Sequence, residues 1–497
     1  MSNRSLLILY GSETGCAQDV AETIGRQARR RHFRTRVFAM DDYNKAELVE
    51  ENLVIFVCST TGQGEEPYNM KGIRLTRTIL NSSHTLSPTY RLEAASDEQQ
   101  TDTLSSYSPG EFDAIVKTND RITAPDHFQD VRHIVLCNDS GELNYNPGDI
   151  AVITPQNLRE DVDAFLEQME WTHLAEKQFQ IVPADEDRKL PSRWLPNVTF
   201  RDLFIYYLDV FGVPRRSFFE MLAFFATDSN HVERLRDFTT PEGQDDMLAY
   251  CQRPRRTIAE VLFDFKPCVI PLDYILDLFP ALQPRSFSIA SSLRAHGNEV
   301  HLCVAIVKYK TKMRRIRRGV CTKWLATLKP GDVVKRMHIV KGTMSLPAPE
   351  VPLIAIGPGT GIAPMRAFLE ERMSSYATVN ILLFGCRYEM KDYHYRDEWN
   401  RYIEEGRLIV FTAFSREQNE KLYVQDRVRE QSALLWNLVD TQGAKIVLSG
   451  SAGKMPEQVA YAFKEIFMKE GGLNAEQAEN YFSTMVKTGQ YQEECWS

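Results

Sequence analysis

The feature that most constrains the fold is a buried strand that leads into a glycine-rich loop and a helix, Leu353-Ile-Ala-Ile-Gly-Pro-Gly-Thr-Gly-Ile-Ala-Pro364. Its three glycines allow the backbone to approach a pyrophosphate at a helix N-terminus, and Thr360 can donate a hydroxyl. Further strands, at residues 380–384, 408–411 and 445–448, are predicted to alternate with helices. This alternation predicts an α/β domain whose ligand lies at the carboxyl ends of its strands.

Side chains after the next two strands indicate which dinucleotide this domain binds. Phe384-Gly-Cys-Arg387 follows one strand, and Ser415, Arg416 and Lys421 follow the other. A carboxylate here would accept the ribose hydroxyl of NADH, whereas cations and a hydroxyl suit a 2'-phosphate. The sequence therefore predicts NADPH. The alternative for Arg416 and Lys421 is a solvated helix start, although cations there oppose the helix dipole.

The N-terminal region has the same strand–loop–helix order with a different loop. Strands are predicted at residues 5–10, 35–39 and 53–58, as in a parallel sheet, and Gly11-Ser-Glu-Thr-Gly-Cys-Ala17 separates the first strand from a helix. The hydroxyls and backbone N–H groups of this loop suit the terminal phosphate of a mononucleotide. A second loop, Ser59-Thr-Thr-Gly-Gln-Gly64, follows the third strand at the same sheet edge. The alternative is an N-capping turn without a ligand.

The middle of the chain changes pattern twice. Residues 81–118 are rich in Ser, Thr, Gln, Asp and Glu, which predicts a disordered linker. Short strands with turn signals such as Asn146-Pro-Gly-Asp149 then indicate an antiparallel barrel, interrupted by helical spacing at about 156–284. The predicted domains are a partial α/β domain at 1–80, the linker at 81–118, the barrel with its insertion at 119–346, and the second α/β domain at 347–497.

Two motifs of the barrel suit a second ligand. Arg285-Ser-Phe-Ser288 is predicted as a strand, so its alternate side chains face opposite sides and can serve two parts of one ligand. Gly319-Val-Cys-Thr322 begins a helix and is a further pyrophosphate-type anchor.

Two other features leave alternatives open. The basic run from Arg314 to Arg318 is either a solvated loop or a docking patch for an acidic partner. Trp496, one residue from the C-terminus, is either part of a loose tail or a ring that covers something flat.

Composition limits the remaining possibilities. Lys and Arg total 59 against 67 Asp and Glu, a net charge of −8 that argues against nucleic-acid binding. The apolar runs are far shorter than the about 18 residues of a spanning helix, so we expect a soluble, cytoplasmic protein without a membrane partner. The nine cysteines form no C-x-x-C pair, which fits neither a disulfide framework nor a zinc site, and we expect no metal.

Together the motifs resemble the diflavin reductase family, in which a flavodoxin-like FMN domain precedes a unit for FAD and NADPH. Gly357-Pro-Gly-Thr-Gly361, Phe384-Gly-Cys-Arg387, Ser415-Arg416 and the closing Cys495-Trp-Ser497 carry the resemblance. It implies a multidomain α/β plus β-barrel fold: an incomplete flavodoxin-like parallel sheet, an FAD-binding antiparallel barrel with a helical insertion, and an NADPH-binding α/β domain of ferredoxin-reductase type.

Two further stretches, Val213-Pro-Arg-Arg-Ser-Phe-Phe-Glu220 and Arg253-Pro-Arg-Arg-Thr-Ile258, resemble the cytosolic branch of the family that serves iron–sulfur cluster assembly. The resemblance implies an iron–sulfur protein, anamorsin, as the electron acceptor. The absence of a membrane anchor from the sequence argues against the microsomal branch that feeds haem monooxygenases.

The resemblance also implies roles for individual residues. The hydride-transfer residues would be Ser288 near the flavin N5, Trp496 stacked on the isoalloxazine, Glu494 and Ser449. The FAD contacts would be Arg255, Arg285, Ser286, Phe287, Ser288, Gly319, Val320, Cys321, Thr322 and Trp496. The NADPH contacts would be Thr360, Ser415, Arg416, Lys421, Leu422, Tyr423, Val424 and Gln425. The FMN contacts would be Ser12, Glu13, Thr14, Gly15, Cys16, Ala17, Ser59, Thr60, Thr61 and Gly62.

The chain departs from the family pattern at several positions. Phe287 replaces a flavin-stacking Tyr, Ser449 a Cys and Glu494 an Asp, so hydride transfer is expected to be slower but not abolished. Gln458 stands where relatives often place an acidic nucleotide contact. Only about seventy residues look like a flavodoxin domain, which usually needs about 100 to 150, so tight FMN binding is not expected.

Three functional hypotheses remain from the sequence. The first is a complete relay from NADPH through FAD and FMN to the iron–sulfur protein. The second is a truncated enzyme that retains only NADPH-to-FAD chemistry. The third is a non-catalytic isoform that binds partners through residues 1–80 or the basic run at Arg314.

Overall fold

The computed structural model describes residues 5–11, 16–40, 42–44, 47–48, 51, 53–58, 87–95, 107–139, 141–184, 190, 194, 197–311, 314–375, 377 and 379–496. The chain forms two compact units. Unit 1 comprises Met1–Ser106, Gln156–Gln283 and Lys310–Arg315, and unit 2 comprises Tyr107–Pro155, Pro284–Tyr309 and Ile316–Ser497. Across the described residues, no helix combines the length and the apolar character needed to span a bilayer.

A small parallel sheet begins unit 1. Its strands β1 (Ser5–Gly11), β2 (Arg34–Ala39) and β3 (Val54–Cys58) lie in the order β2-β1-β3, and helix α1 (Cys16–Arg29) connects the first two. Each predicted strand matches an observed one to within one residue at either end. The helix lies close to the sheet at Gly25, where an added Cβ would be 2.9 Å from a methyl group of Val37.

A second sheet in unit 1 corrects the linker prediction for residues 81–118. Strand β4 (Tyr90–Ala94) pairs antiparallel with β8 (Gln178–Pro183), which also pairs with β9 (Asn197–Thr199). Leu92 is buried opposite Ile181, so this polar stretch contains a strand that obtains its apolar contacts from the insertion. Strand β5 then begins at Phe112, also within the predicted linker, whereas residues 81–86 and 96–106 lie outside the described ones.

Helices make up most of the rest of unit 1, in the insertion predicted at about 156–284. They pack around an aromatic cluster that includes Phe165, Phe204 and Phe279. The helices are α2 (Arg159–Gln168), α3 (Phe200–Asp202), α4 (Arg216–Leu222), α5 (Ser229–Asp237), α6 (Gln244–Met247), α7 (Ile258–Asp264) and α8 (Ile275–Leu278).

Unit 2 contains the six-stranded antiparallel sheet of the predicted barrel. Its strand order is β10-β7-β14-β5-β6-β11, where the strands are β5 (Phe112–Arg121), β6 (Val131–Cys137), β7 (Ile150–Ile153), β10 (Arg285–Ser288), β11 (Glu299–Ala305) and β14 (Val333–Val340). The short elements β12 (Lys308–Lys310), β13 (Ile316–Arg318), α9 (Leu293–His296) and α10 (Val320–Leu325) connect β10, β11 and β14.

The C-terminal part of unit 2 is a five-stranded parallel sheet with the order β17-β16-β15-β18-β19. Its strands are β15 (Leu353–Ile356), β16 (Asn380–Cys386), β17 (Ile409–Phe414), β18 (Lys445–Ser451) and β19 (Tyr491–Trp496). Its helices are α11 (Ile362–Ser374), α12 (Glu389–Asp392), α13 (Arg396–Glu404), α14 (Val424–Glu430), α15 (Ser432–Trp436), α16 (Met455–Lys469) and α17 (Ala475–Thr488). The strand order reverses direction at β15, which places the ligand crevice at the carboxyl ends of β15 and its neighbours.

Candidate functional site

The glycine-rich loop joins β15 to α11 with little space to spare. A Cβ on Gly357 would lie 2.7 Å from the carbonyl oxygen of Gly361, and a Cβ on Gly361 would lie 2.1 Å from that of Ser449. Gly359 has a φ of +59°, the left-handed region that glycine adopts without strain. The loop therefore needs glycine at all three positions, as a backbone cradle at the N-terminus of α11 requires.

A cleft of about 590 Å³ opens beside this loop. It has the size of ordinary ligand pockets. The nucleotide contacts predicted from sequence that it brings together are Thr360, Ser415, Tyr423, Val424 and Gln425. Because these residues follow β15 and β17, which flank β16 in the parallel sheet, the sheet topology places them at one edge.

Internal hydrogen bonds hold two walls of this cleft. The Ser415 hydroxyl donates to the carbonyl of Cys386 at 3.1 Å, and Gln425 Nε2 donates to Gln458 Oε1 at 2.9 Å. Gln458, at the position where relatives often place an acidic nucleotide contact, therefore lines the cleft. Its amide leaves the cleft wall neutral where a carboxylate would repel a phosphate.

The two predicted cations lie next to the cleft and not among its lining residues. Arg416 follows Ser415 directly, and Lys421 precedes Tyr423 by two residues. Both side chains are exposed, and within the described part of the chain neither forms an ion pair with a carboxylate. Free cations beside a cleft hydroxyl suit the 2'-phosphate of NADPH. Leu422, also predicted as a contact, packs against the core of the sheet.

The structure adds cleft residues that sequence motifs did not reveal. His127 and Phe128 come from the loop between β5 and β6 of the barrel, more than 200 residues before the nucleotide motifs. His394 also lines the cleft; its Nδ1 is buried and has no hydrogen-bond partner among the described residues, and burial lowers the pKa of this histidine to about 4. No local motif marks these positions, since only packing brings them to the cleft. An orphaned polar nitrogen in a cleft wall fits a site that receives a polar ligand.

A second group of predicted residues gathers at the ends of β10, β18 and β19. The Ser288 hydroxyl donates to Glu494 Oε1 at 2.8 Å, and the Thr343 hydroxyl donates to Glu494 Oε2 at 3.2 Å. Ser449 lies opposite Glu494 in the β18–β19 register and is fully buried, and no residue that the structure describes bonds its hydroxyl. Thr343 was not predicted, because it lies in a loop without a recognisable motif.

Trp496 belongs to an edge strand and not to a loose tail. It pairs with Ser451 across the β18–β19 ladder, and its side chain is 40% exposed. The hydrogen bonds of the ladder hold the backbone, while the ring remains accessible to a flat partner. This arrangement favours the second of the two interpretations of the terminal Trp.

The predicted FAD anchors of unit 2 lie close together. Strand β10 exposes Arg285 and Ser286, with Phe287 half-buried. Burial raises the pKa of Cys321 to about 12, and the positive charge of Arg285 opposes that rise, which puts the guanidinium near the start of α10.

The turn before α10 is tightly packed. Thr322 Oγ1 accepts from the backbone N–H of Val307 at 3.0 Å, and a Cβ on Gly319 would be 3.0 Å from that hydroxyl. Val320 is the first residue of α10. A side chain at position 319 would therefore crowd the turn, and the short helix begins directly after it. The guanidinium of Arg285 and the backbone donors at the start of α10 together suit a pyrophosphate.

The remaining predicted contacts lie in unit 1. Arg255 is exposed at a positive φ of 54° in the insertion. Gly11 and Cys58 are paired at the ends of β1 and β3, so the two predicted FMN loops leave from neighbouring strands. Cys16 begins α1 and Ala17 is buried in it. The other predicted FMN contacts lie outside the described residues: Ser12, Glu13, Thr14, Gly15, Ser59, Thr60, Thr61 and Gly62.

Three side chains of metal-ligand type gather in unit 2, but they satisfy one another. The ligand atoms of His296, Glu299 and His301 all lie within 4.8 Å. Arg366 Nη1 is 3.2 Å from His301 Nδ1, and because a guanidinium only donates, Nε2 of the neutral ring carries the proton and donates it to Glu299 at 3.0 Å. Burial lowers the pKa of His301 to about 4, consistent with a neutral ring. In this arrangement Nε2 is not available to a metal.

Family models match three successive segments of the chain. A flavodoxin model matches residues 8–102, an FAD-binding domain model matches residues 108–324, and an oxidoreductase NAD-binding domain model matches residues 355–460. The matched segments reach every strand of the parallel sheets and the barrel except β14 and β19, and they contain the whole insertion. They contain nearly all the residues of the nucleotide cleft.

Full-length relatives resemble the whole chain. It is 37% identical to NADPH-dependent diflavin oxidoreductase 1 of Danio rerio over 597 aligned positions, with all of both chains covered. The protein of the same name from Xenopus laevis is 34% identical, again with all of both chains covered. That of Emericella nidulans is 33% identical, with 99% of this chain and 97% of the relative covered. The alignment with the Danio rerio protein is about 100 positions longer than the 497 residues of this chain.

Proposed function

The chain belongs to the NADPH-dependent diflavin oxidoreductase family, and from that premise we propose that its electrons pass to an iron–sulfur protein such as anamorsin, in cytosolic iron–sulfur cluster assembly. The enzyme is an NADPH-dependent oxidoreductase with FAD-binding, flavodoxin-type FMN-binding and nicotinamide-nucleotide-binding domains. The identity of the acceptor, the pathway and the cytoplasmic location are the proposed part.

One observation carries the assignment of the chemistry to unit 2. The glycine-rich loop after β15, the nucleotide cleft and the Ser288–Glu494 pair all lie at the carboxyl ends of one parallel sheet and the adjoining barrel strand. A dinucleotide whose pyrophosphate occupies the loop would extend along this edge. The residues present therefore fit both the nucleotide and a flavin beside Ser288.

When bound, the nucleotide supplies a hydride and the flavin accepts it, then releases electrons one at a time. The chain's own residues position these groups. The backbone of the glycine-rich loop is close-packed: the N–H groups of Gly357 and Gly361 donate to the carbonyls of Leu383 and Pro358, both at 3.1 Å. The N–H groups of Gly359 and Thr360 would serve a phosphate. Ser288 is held by Glu494, which Thr343 also fixes, so the hydroxyl has one orientation. Placement of this kind supplies much of the rate of such a transfer.

The 2'-phosphate assignment can be tested by one substitution. Arg416→Ala is expected to raise the KM for NADPH about tenfold, the order of one lost charge-assisted contact, and to leave the KM for NADH unchanged. Steady-state reduction of ferricyanide measures both. Lys329→Ala, an exposed lysine of the barrel, is the matched control. Equal changes with the two nucleotides would contradict the role of Arg416.

The proposed acceptor is supported by the two insertion stretches that resemble the iron–sulfur assembly branch, 213–220 and 253–258. Purified protein loaded with FAD and FMN is expected to reduce purified anamorsin when NADPH is added, as followed by the visible absorption of the iron–sulfur cluster. Ferricyanide reduction in the same preparation serves as the control for NADPH chemistry. Ferricyanide reduction without anamorsin reduction would overturn the proposed acceptor.

Flavin content tests whether the relay in this chain includes FMN. Because a flavodoxin model matches residues 8–102, beyond the about seventy residues recognisable from the sequence, flavins released by heat and separated by chromatography are expected in equal amounts of FAD and FMN. Because the relatives' alignment is longer than this chain, FAD alone would limit the enzyme to NADPH-to-FAD chemistry with artificial acceptors. NADPH oxidation coupled to any acceptor would remove the non-catalytic alternative.

A further inference from the structure

An exposed aromatic ring stands in the wall of the nucleotide cleft. Phe128, in the loop between β5 and β6, is 61% exposed. The guanidinium of Arg387, which follows β16, lies 3.9 Å from the centre of this ring. Contact between a cation and the face of an aromatic ring is attractive at this distance. The barrel loop therefore supplies a platform for a cation of the nucleotide-binding domain.

The same loop is fixed to the backbone that carries Arg387. The rings of His127 and Phe128 are 4.7 Å apart, and His127 Nε2 lies 3.6 Å from Asp392. Asp392 in turn accepts from the backbone N–H of Arg387 at 3.0 Å and of Tyr388 at 2.7 Å. Asp392 thus contacts both His127, whose ring lies beside that of Phe128, and the backbone that carries Arg387.

Further bonds prevent the loop from moving away. Ala124 N–H donates to the carbonyl of Lys391 at 2.8 Å, and the Lys391 ammonium pairs with Asp126. Arg121 donates to the carbonyls of Ala124 and His127, both at 2.9 Å. These bonds fix the loop that carries Phe128, so the exposure of its ring does not reflect a loose loop.

Arg387 itself has no carboxylate partner within the described residues. Its charge faces a cleft whose other walls contain Thr360 of the glycine-rich loop and Ser415. A cation that is stacked on a ring, without a competing anion, is prepared to receive a phosphate.

We propose that Phe128 is a positioning residue for the dinucleotide: its ring holds the Arg387 guanidinium over the cleft, where the guanidinium meets a phosphate group of NADPH. The inference rests on the location of NADPH in this cleft given under Proposed function. Stacking restricts a long, flexible side chain before the ligand arrives, which reduces the entropy lost on binding. The ring acts through Arg387 and does not touch the reacting atoms.

The test is the steady-state kinetics of Phe128→Ala with NADPH and saturating ferricyanide. The KM for NADPH is expected to rise about fivefold, the order of one lost cation–π contact, with kcat unchanged. Phe128→Tyr keeps the ring face and is expected to restore the wild-type KM. Phe263→Ala is the matched control, because Phe263 is 62% exposed and lies in unit 1. An unchanged KM in Phe128→Ala would overturn the proposal.

A double-mutant cycle separates positioning from a general structural effect. In the Arg387→Gln background, Phe128→Ala is expected to have no further effect on the KM, since the ring then has no cation to hold. The same fivefold rise in that background would overturn the proposal. Equal rises with NADPH and NADH would identify the bridging pyrophosphate as the contact of Arg387, and a rise with NADPH alone would identify the 2'-phosphate.

The outcomes also distinguish this inference from the proposed nucleotide site. If Arg387→Gln and Ser415→Ala raise the KM and Phe128→Ala does not, only the positioning role is wrong. If none of the three raises the KM, the location of NADPH in this cleft is wrong, and the positioning role is overturned with it.

Discussion

The chain contains two parallel sheets that begin with the same strand–loop–helix arrangement but are buried to different degrees. In unit 2, β15 lies between β16 and β18, and every residue of Leu353–Ile356 is buried. In unit 1, β3 has β1 as its only neighbour among the described strands, and Phe56 is 56% exposed. A strand that is buried on both faces, such as β15, requires apolar side chains at every position, whereas the stability of β3 depends on what covers its exposed face.

The two units also differ in how deeply their ion pairs are buried. Unit 2 encloses Arg366, which is paired with Glu370 at 2.6 Å and Glu398 at 2.9 Å and donates to the carbonyl of Ala290 on the barrel at 2.6 Å. In the described part of the unit 1 sheet the ion pairs are nearer the surface, as in Arg36 with Glu51. A buried ion pair is stable only while both partners remain, because either charge left alone is costly to bury.

The largest expected effect is therefore the loss of Arg366. Arg366→Ala leaves two buried carboxylates without their cation, and we expect the free energy of unfolding of unit 2 to fall by about 4 kcal/mol. Arg36→Ala, in the sheet of unit 1, is expected to cost about 1 kcal/mol or less, because that pair is partly solvated. Urea unfolding followed by tryptophan fluorescence measures both. Similar losses for the two variants would remove the contrast between the units.

The second largest expected effect is a fall in the free energy of unfolding of unit 2 at low pH. Burial lowers the pKa of His301 to about 4, below its ordinary value of 6.5, so the unfolded chain binds a proton that the folded one excludes. The contribution of His301 to stability is complete above pH 6.5 and is lost as the pH falls towards 4, by about 3 kcal/mol.

The pH dependence of the urea midpoint between pH 7 and 4 tests this. His301→Gln is expected to flatten the profile of unit 2, whereas His173→Gln, an exposed histidine of unit 1, is expected to leave it unchanged. A profile that His301→Gln does not alter would assign the acid sensitivity to other groups.

A smaller effect is expected for a single added methyl group at one glycine in each unit that packs close to its sheet. Gly361→Ala places a Cβ 2.1 Å from a backbone oxygen, which cannot move without displacing β18, and we expect a loss of roughly 2 kcal/mol together with a higher KM for NADPH. Gly25→Ala meets only a methyl group of Val37 at 2.9 Å, which a side-chain shift can relieve, so about 1 kcal/mol is expected.

Thermal and urea unfolding of these two alanine variants give the comparison. If Gly25→Ala were the more damaging, the sheet of unit 1 would be packed as tightly as that of unit 2.

The smallest expected effect is at the open face of β3. Phe56→Ser is expected to change the free energy of unfolding by about 0.5 kcal/mol or less, since the ring is largely exposed. Ile356→Val, at a fully buried position of β15, is the counterpart and is expected to cost about 1 kcal/mol. A large loss for Phe56→Ser would mean that the ring is covered in solution, and the two sheets would then be alike.

The fold was predictable from the sequence wherever the pattern of apolar residues over a short stretch of chain decides the secondary structure. Four strands of the second parallel sheet were located from buried apolar runs. The fifth, β19, was missed, because Tyr491-Gln-Glu-Glu-Cys-Trp496 has the polar character of an edge strand and pairs only through β18. For the same reason β4 was taken for part of a linker: Leu92 is its one buried residue, and its neighbours in space are about 90 residues away in the chain.

The candidate site divides in the same way. The glycine-rich loop and Ser415 follow strands directly, so their place in the cleft follows from topology. Thr343 and Phe128 reach their positions only because the barrel packs against the second sheet. No spacing along the chain encodes that contact.

By itself the sequence determined the local chemistry of this protein: which loops can receive phosphates, which strands are buried, and which dinucleotide the cations suit. These follow from backbone conformation and charge over a few residues. Tertiary structure alone decided which distant side chains share a wall, such as Phe128 with Arg387 and Ser288 with Glu494. The physical reason is that burial of apolar surface fixes the packing of sheets and helices, and that packing brings together residues that share no local pattern.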